Sequence, residues 1–236
     1  MIREGEIIFN NRSSLDLNLK MEKYPTIPLA SEDYEEVEVY MRPDQLIIKN
    51  GTYKNKHIKF EFTQLKNEEM LVFDELYDWL LDIQDSRLFY WKTDKCLYVK
   101  NIEIEDFEQE FKEFGKITIT FITSPFWEDP NETIQTLDKY NNCFYYSATA
   151  PAYPVVTLYG TGNLQLTVNG ETIQVKNVTD YVIIDNELMQ VRNKNGQSKD
   201  FDTIGNFIEL NKGKYEISLS SNATKAVFSY KNKWRG

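Results

Sequence analysis

Apolar and polar residues alternate strictly along the segment that begins at Lys116. Isoleucine or phenylalanine occupies every second position from Ile117 to Phe121, and lysine or threonine occupies the positions between them. Successive side chains of a β-strand point to opposite faces of its sheet, so this alternation predicts a half-buried strand. Pro125 has no backbone N–H to donate to a neighbouring strand, and it therefore predicts where the strand ends.

The chain before this strand predicts more strands. The same alternation runs through residues 36–39 and through residues 57–62, where His57 shares the polar face with lysine and glutamate. Arg42-Pro-Asp44 and Asn50-Gly51 lie between these two segments and have the composition of turns. Farther along, residues 87–91 and 96–104 are rich in aromatic and β-branched residues, and they predict a hairpin around Thr93-Asp94.

Residues 68–83 are the segment whose apolar residues recur at helical spacing. Asn67 is placed to cap this predicted helix, and Glu68 and Glu69 occupy its first turn, where the helix dipole favours negative charge. The acidic residues 105–114 are interpreted as a loop. The apolar stripe of the helix consists of Met70, Phe73, Leu76, Tyr77, Leu80 and Leu81.

The chain after Trp127 shows no helical pattern, and short apolar segments follow one another at even spacing. Asn169-Gly170, between two of them, is the composition of a two-residue hairpin turn. About eight such strands predict an antiparallel sandwich or jelly roll. Residues 129–149 are interpreted as a hinge anchored by residues 144–146. The predicted strands are residues 155–159, 164–168, 172–175, 181–184, 188–192, 207–210, 216–219 and 226–230.

The length of 236 residues suits two domains, and the patterns above place their boundary at residues 130 and 131. The predicted fold class is therefore mainly β. An N-terminal β-sandwich-like domain, residues 1–130, carries one α-helix and a β-hairpin, and residues 131–236 form an antiparallel β-sandwich. Aromatic residues make up 14% of the chain, which is typical of β-sheet cores and of interfaces.

The net charge of −10 argues against stable nucleic-acid binding, because phosphate contacts need clustered lysine and arginine. No apolar run approaches the ~18 residues that span a bilayer, so we expect no membrane insertion. The N-terminus has no secretory signal pattern, which indicates synthesis in a cytoplasm. Cys96 and Cys143 lie far apart in the sequence and predict buried thiols rather than a disulfide.

The sequence lacks the residue patterns of the common catalytic, cofactor and metal sites. His57 is the only histidine, and its place on a polar strand face leaves it without a partner for nucleophilic catalysis or a zinc site. Gly160-Thr-Gly162 lacks the third glycine of a dinucleotide loop. We therefore expect no enzyme, no cofactor and no metal. The acidic pair Asp185 and Glu187 leaves a two-carboxylate hydrolase as a rival hypothesis.

The order of several motifs resembles that of one known protein family along essentially the whole chain. The last strand of the first region reads Ile-Thr-Phe-x-x-x-Pro-Phe-Trp from Ile119 to Trp127, and the second region opens with a proline-rich segment from Ala150 to Val156. The resemblance continues through Gly160-x-Gly162, Asn169-Gly170, residues 181–185, residues 210–213 and Lys233-Trp-Arg235, and residues 9–16 resemble the family's start. The family is the distal tail protein of long, non-contractile-tailed (siphovirus-type) bacteriophages and prophages.

This resemblance implies a structural virion protein at the tail tip. The first domain would form a homo-hexameric ring that joins the tail tube protein to the tail-tip protein or baseplate. The second would be a galectin-like sandwich that supports receptor-binding proteins. Where family members often carry a Gly-Arg-Asp-Gly-like turn, this chain has Met41-Arg-Pro-Asp44. Because DNA passes through such a ring, we hypothesise that acidic residues line its bore, the candidates being Glu103, Glu105, Glu108 and Glu110.

A carbohydrate-binding module that attaches the phage to the host wall is the alternative function. Aromatic side chains of the second region, Tyr153, Tyr159 and Trp234, are the candidates for stacking on sugar rings. The second region contains no histidine, whereas galectin sites use a cluster of histidine and arginine over a tryptophan. Likeness of fold alone does not establish sugar binding.

Overall fold

The computed structural model describes residues 2–64, 73–104, 108–111 and 114–235, with the backbone alone described for residues 73, 74, 108–111 and 114. The chain divides into two compact units. The first consists of Met1–Pro130 with Arg235–Gly236, and the second is Asn131–Trp234. The predicted fold class is confirmed, since the described residues form antiparallel sheets and contain one α-helix.

The first unit contains eleven described strands and one α-helix: β1 (Ile7–Phe9), β2 (Arg12–Ser13), β3 (Leu19–Met21), β4 (Glu32–Val37), β5 (Leu46–Tyr53), β6 (Lys56–Gln64), α1 (Phe73–Leu81), β7 (Arg87–Tyr90), β8 (Leu97–Ile104), β9 (Glu108–Phe111), β10 (Phe114–Thr123) and β11 (Trp127–Glu128). Most of these strands form one large antiparallel sheet with the order β2-β1-β7-β8-β10-β6-β3, and β9 pairs with β10. A 3-10 helix at Ser14–Leu17 links β2 to β3.

The alternating segment is β10, and it lies between β6 and β8 in the sheet. Ile117, Ile119 and Phe121 are buried, as the alternation predicts, and the strand ends two residues before Pro125. On β6 the predicted face is also confirmed, because Ile58, Phe60 and Phe62 are buried while His57 is exposed. The aromatic rings of the two strands meet edge to face, with the centroids of Phe60 and Phe121 5.6 Å apart.

Helix α1 packs on the sheet through a face that differs from the predicted stripe. Leu76 and Leu80 are buried as expected, but Tyr77 and Leu81 are exposed and Trp79 is buried in their place. The indole Nε1 of Trp79 donates a hydrogen bond to the backbone oxygen of Phe9 at 2.8 Å, which turns this side chain toward the sheet. The predicted cap and the first-turn glutamates, residues 67–69, lie outside the described residues, as does Met70.

Three further predictions for the first unit are wrong. Asn50-Gly51 is not a turn: it lies within β5, where the pairing with β4 shifts register and Gly51 has a φ of 74°. A positive φ suits a β-bulge as well as a turn, so the dipeptide Asn-Gly alone does not distinguish a bulge from a turn. β4 ends at Val37, short of Val39. The acidic segment is not a loop throughout, because Glu108–Phe111 pairs with the start of β10.

The second unit is a sandwich of two five-stranded antiparallel sheets. The strands are β12 (Thr133–Leu137), β13 (Cys143–Tyr146), β14 (Val155–Gly160), β15 (Gly162–Val168), β16 (Glu171–Val178), β17 (Tyr181–Asp185), β18 (Gln190–Asn193), β19 (Thr203–Gly205), β20 (Gly213–Leu219), β21 (Ala223–Tyr230) and β22 (Lys233–Trp234). The sheet orders are β12-β21-β14-β17-β18 and β13-β20-β15-β16-β19. A 3-10 helix spans Asp200–Asp202.

The core of the sandwich is formed by inward-facing residues of both sheets, among them Leu158, Leu166 and Phe228. The predicted two-residue hairpin is confirmed. Asn169 and Gly170 connect β15 to β16 with φ values of 48° and 91°, which glycine and asparagine adopt most readily. Val168 and Glu171 face each other across the turn.

Two predictions for the second unit are wrong. Residues 129–149 are not a hinge, because they contain β12 and β13, one strand at the edge of each sheet. Edge strands have solvent on one side, so their weak apolar pattern does not stand out in the sequence. Residues 207–210 do not form a strand: Leu210 makes an isolated bridge to Ala152, and the strand in this region is β19.

The two cysteines do not form a disulfide. Cys96 is buried, as predicted, but Cys143 is exposed on the edge strand β13, so that half of the prediction is wrong. No helix within the described ranges is long and apolar enough to cross a membrane.

Candidate functional site

Glu103 and strand β9, which contains Glu108 and Glu110, lie at one end of the large sheet. Glu103 is exposed on β8 and pairs with Thr120 of β10. Glu108 and Glu110 belong to β9, whose backbone pairs with the start of β10. Glu105 lies outside the described residues. The sheet therefore carries Glu103 and the strand of Glu108 and Glu110 toward the same end of β10.

The structure does not bring the three sugar-stacking candidates together. Tyr153 precedes β14 and Tyr159 lies near its far end, a separation of about 20 Å at the rise of a strand. The ring of Tyr159 contacts Tyr181, at 5.5 Å between centroids, and Lys225 Nζ lies 4.6 Å from its centroid. Trp234 packs against the sandwich core. Lys225 thus lies over one face of the Tyr159 ring, and Trp234 is partly buried.

The rival acidic pair, Asp185 and Glu187, forms a turn between β17 and β18. The Asp185 Oδ1 atom accepts hydrogen bonds from the backbone N–H groups of Glu187 at 3.1 Å and Leu188 at 3.0 Å. Such an arrangement is a common local cap for a turn. Glu187 is exposed and lies 4.0 Å from Lys233 Nζ. Across the described residues, no cluster of three or more histidine, cysteine, aspartate or glutamate side chains is placed to hold a metal ion.

A cavity of about 220 Å³ lies in the first unit, at the end of the sheet where β10 finishes and β6 begins. Its base holds two polar groups, Lys56 Nζ and Tyr90 Oη, that are buried and have no hydrogen-bond partner. Its wall includes the loop of residues 27–29. We call this cavity the basic pocket; its other lining side chains are Trp91, Lys92, Lys95 and Trp127.

Burial lowers the pKa of Lys56 from 10.5 and raises the pKa of Tyr90 from 10. Both directions follow from the cost of placing charge in an apolar environment. The rim of the pocket is apolar and open to solvent: Leu29 is 80% exposed and Trp91 is 63% exposed. Tyr24 joins this rim, with its ring centroid 6.3 Å from that of Trp91. Exposed aromatic side chains around a desolvated polar group are typical of a binding surface.

The sequence contained a signal for Lys56 that the strand interpretation missed. If His57, Lys59 and Glu61 occupy the exposed face of β6, residue 56 must share the opposite face with Ile58 and Phe60. Lys56 pairs with Thr123 at the last position of β10 and is 2% exposed. A lysine in phase with a buried row of apolar residues is therefore the feature that marks the pocket.

Strands β4 and β5 form a separate two-stranded sheet, which we call the arm. Its side chains are exposed or partly exposed throughout, and they include the apolar residues Leu46, Ile47 and Ile48. Tyr40 and Met41, in the connection between the two strands, are 92% and 88% exposed. An isolated two-stranded hairpin is marginally stable in water, and large exposed apolar side chains mark interaction surfaces.

Comparison with known proteins supports the fold interpretation. No protein-family model matches the sequence, and no curated protein matches it. Among solved structures, the Dit protein (gp 19.1) of phage SPP1 is similar, with a TM-score of 0.70 and 9% sequence identity. The match covers 97% of this chain and 98% of that one. The fold is that of a phage distal tail protein.

The SPP1 protein has been described as a paradigm of the hub adsorption apparatus in phages that infect Gram-positive bacteria. The resemblance expected from the sequence motifs is thus confirmed at the level of the fold. Because the match spans nearly the full length of both chains, the distal tail protein fold accounts for both units of this chain.

Proposed function

We propose that the chain is a structural protein at the distal end of a phage tail, where it forms a ring between the tail tube and the tail tip. The observation that carries this proposal is the near full-length likeness to the SPP1 hub protein. At 9% identity the likeness establishes the fold. The assembly is inferred from that fold together with the surface of the chain.

The exposed apolar surface supports an assembled state. The arm presents Leu46, Ile47 and Ile48 to solvent, and α1 presents Tyr77 and Leu81. A monomer with such surfaces loses favourable burial that a neighbouring chain would supply. In the proposed role, the partners are other copies of the chain, arranged as a hexamer, the tail tube protein, a tail-tip protein and a receptor-binding protein. The protein would then reside in the virion after synthesis in the host cytoplasm.

The ring is tested by measuring the mass of the particles that the purified full chain forms, by light scattering across a range of concentrations. Negative-stain electron microscopy then shows the shape of these particles. We expect a hexamer, six times the 27.9 kDa of one chain, and ring-shaped particles. A monomer at every concentration, also in the presence of the purified tail tube protein, would contradict the proposal.

The acidic bore belongs to this proposal, and Glu103 is the candidate whose side chain is described and exposed. Negative charge on the bore repels the phosphates of passing DNA, so the DNA moves without being held. We expect Glu103→Lys to leave ring assembly unchanged and to slow DNA ejection from reconstituted particles. Ejection at the original rate, from particles with normal tails, would remove this role for Glu103.

Direct attachment to the host wall through the second unit is the weaker alternative, since no observation gathers Tyr153, Tyr159 and Trp234 into one site. Titration with host-wall polysaccharide separates the two functions. Binding by the fragment Asn131–Trp234 would favour the carbohydrate-binding module. Rings without polysaccharide binding would favour the structural role. Neither function requires catalysis, and we propose that the protein is not an enzyme.

A further inference from the structure

We propose that the basic pocket binds a carboxylate that a neighbouring tail protein presents next to an apolar group. The source of the carboxylate rests on the proposed function, whereas the chemistry of the pocket does not. The starting point is Lys56, which is 2% exposed and whose Nζ atom has no hydrogen-bond partner among the described residues. A buried charge without a partner is costly, and an anion from outside the chain would compensate it.

A second buried donor lines the same cavity as Lys56. Tyr90 is fully buried, and its Oη atom also lacks a hydrogen-bond partner in the described part of the chain. Its ring is held by its neighbours, because its centroid lies 5.2 Å from that of Phe60 and 5.2 Å from that of Trp127. Buried polar groups are normally hydrogen-bonded, so two such groups beside one cavity point to an acceptor that enters from solvent.

The electrostatics of the pocket favour an anion. Burial alone lowers the pKa of Lys56, so no described carboxylate lies close enough to stabilise the charged form. The described lining also includes Lys92 and Lys95, and it includes no acidic residue. Lys92 Nζ lies 5.4 Å from the ring centroid of Trp91, against the wall of the pocket. On a chain with a net charge of −10, the cavity is thus a local site of positive charge.

Among anions, a carboxylate matches the two buried donors. An ionised carboxylate has two oxygens that accept hydrogen bonds and has no donor, so Lys56 and Tyr90 can each donate one bond to it. A phosphate group brings nearly two charges and a third oxygen, for which the described base of the cavity holds no further buried donor. A sugar ring would lose the hydrogen bonds of several hydroxyl groups to water. The donors therefore favour a carboxylate over a phosphate or a sugar.

The size and the walls of the pocket indicate what carries the carboxylate. A cavity of about 220 Å³ is smaller than the roughly 300–1,000 Å³ of pockets for drug-sized ligands, and it suits a single side chain. Its walls include Ile27, Pro28 and Trp127, which give apolar contact to the group that bears the carboxylate. The pocket therefore suits an anion on a small apolar body.

The rim indicates that this anion belongs to a polypeptide. Leu29, Trp91 and Tyr24 are exposed around the opening, and the ring centroids of Tyr24 and Trp91 are 6.3 Å apart. A small molecule enclosed in the cavity would leave these side chains in water, whereas a protein that inserts one side chain would cover them. Protein interfaces combine a buried anchor with surrounding contacts that exclude water in this way.

The chemistry of the pocket is tested with 3-phenylpropionate, a carboxylate on a small aromatic body, by isothermal titration calorimetry on the full chain. We expect saturable binding with a Kd of about 1 mM, a typical value for a ligand of about eleven non-hydrogen atoms. The amide analogue, 3-phenylpropanamide, has the same shape without the charge and should bind at least about tenfold more weakly. Absence of binding at about 10 mM, or equal binding of the two compounds, would overturn the carboxylate site. Competition by inorganic phosphate at an equal concentration would overturn it as well.

Three variants assign this binding to the buried donors. Lys56→Met removes the buried ammonium group at similar volume, and it should weaken 3-phenylpropionate binding at least about tenfold. Tyr90→Phe removes the buried hydroxyl group and should weaken the binding about threefold or more. The matched control, Lys59→Met, removes an exposed lysine from the opposite face of β6 and should change the affinity by less than about twofold. Unchanged affinity in Lys56→Met would remove the pocket as the binding site.

Thermal unfolding of each variant separates lost binding from lost folding. Lys56→Met should unfold at the temperature of the original chain or above it, because the cost of burying a charge is removed. Tyr90→Phe keeps the ring and its contacts with Phe60 and Trp127, so this variant tests the pocket even if Lys56→Met fails to fold.

The polypeptide source is tested with the purified tail tube protein and the purified tail-tip protein of the same phage. We expect one of them to bind the original chain, and an excess of 3-phenylpropionate should compete with it. Lys56→Met should weaken this binding at least about tenfold, while Lys59→Met leaves it within about twofold. Equal binding of the original chain and both variants would overturn the assignment of the pocket to a tail protein.

Assembly of the chain keeps this inference separable from the ring. Light scattering should give the same particle mass for Lys56→Met and for the original chain, because a different protein occupies the pocket. If Lys56→Met lost assembly while Lys59→Met kept it, the occupant would be a second copy and the assignment to another tail protein would be wrong. A chain that forms no ring but binds 3-phenylpropionate through Lys56 would contradict the proposed function and support the chemistry of the pocket.

Discussion

Glu6 carries a carboxylate that lies inside the first unit and is held by three groups. The Arg3 guanidinium donates to it at 2.8 Å, the Arg3 backbone N–H at 2.6 Å and the Ser13 hydroxyl at 2.5 Å. The Arg3 hydrogen bond is the largest cause that lowers the pKa of Glu6, from 4.5 to about 2, against the opposing effect of burial. A carboxylate with a lowered pKa stabilises the fold only while it is ionised.

This pKa sets the pH range in which Glu6 contributes. The stabilisation is complete above pH 4.5, and it is lost as the pH falls from 4.5 toward 2, where the folded state also takes up the proton. Because Arg3 is mostly exposed, solvent screens its attraction to Glu6, and we expect Glu6→Gln to lower the free energy of unfolding by about 1–2 kcal/mol at pH 7. Urea unfolding at pH 7 and pH 2 measures the difference, which should nearly vanish at pH 2.

Glu4→Gln is the control for that measurement. Glu4 is exposed and two residues away, so its replacement should change the free energy of unfolding by less than about 0.5 kcal/mol at either pH. A loss in Glu6→Gln that is equally large at pH 2 would mean that packing of the side chain matters rather than its charge.

Buried polar residues are the part of the molecule that sequence reasoning found least well. Asn186 lies in the turn between β17 and β18, and its side chain is buried inside the second unit. It donates to the backbone oxygen of Pro154 and accepts from the N–H of Ile208 at 2.7 Å. These partners are 32 and 22 residues away, so nothing local in the sequence indicates them. Lys56 differs, because the alternation of β6 did encode its burial.

At the scale of elements, the C-terminal end of α1 is held by Asn10, which lies about 70 residues earlier in the sequence. The Asn10 side chain donates to the backbone oxygens of Trp79 at 3.1 Å and Asp82 at 2.7 Å. It also accepts from the N–H groups of Gln84 at 2.8 Å and Asp85 at 3.1 Å. The last carbonyl groups of a helix have no partner within the helix, so Asn10 satisfies groups that would otherwise need water.

Two substitutions of Asn10 distinguish the contribution of these hydrogen bonds from the cost of the backbone conformation. Asn10 has a φ of 50°, which glycine accepts and alanine resists. We expect Asn10→Gly to lower the free energy of unfolding by about 1–3 kcal/mol through the lost hydrogen bonds. Asn10→Ala should cost about 1 kcal/mol more. Chemical denaturation followed by circular dichroism checks both values.

Asn11→Gly provides the matched comparison, because Asn11 is exposed and has a similar φ of 58°. Its replacement should be nearly neutral. If Asn10→Gly were equally neutral, the hydrogen bonds to the end of α1 would contribute nothing to stability.

Strong periodic patterns predicted their elements, and weak ones did not. The alternation of β10 and β6 predicted both strands and their faces, and Asn169-Gly170 predicted its hairpin. The edge strands β12 and β13 were missed because half of each faces solvent. The helix was predicted but its buried face was not, since Trp79 is fixed by a hydrogen bond to Phe9 rather than by spacing along the helix.

At the scale of the whole molecule, we expect the second unit to fold by itself. Its two sheets bury a common core, and its buried Asn186 finds both of its partners within the unit. A domain of this size with a closed core is expected to be independently stable. The boundary predicted from the sequence, between residues 130 and 131, is therefore open to a direct test.

We expect the fragment Asn131–Trp234 to fold alone and to unfold cooperatively. Its thermal unfolding, followed by circular dichroism, should show a single transition, and its proton spectrum should show the dispersed amide signals of a β-sandwich. A fragment that starts at residue 150 would lack β12 and β13 and should be unfolded or aggregated. If that shorter fragment folds equally well, the domain begins later than predicted.

The two thiols differ in accessibility, and this difference allows the chains in an assembled particle to be counted. Cys143 is exposed on the edge of the second unit, while Cys96 is buried in the first. A maleimide dye added to the native chain should therefore attach once per chain, which mass spectrometry verifies. When single labelled particles are bleached under a microscope, the number of intensity steps equals the number of chains. Six steps per particle would give the stoichiometry of the ring without any assumption about its shape.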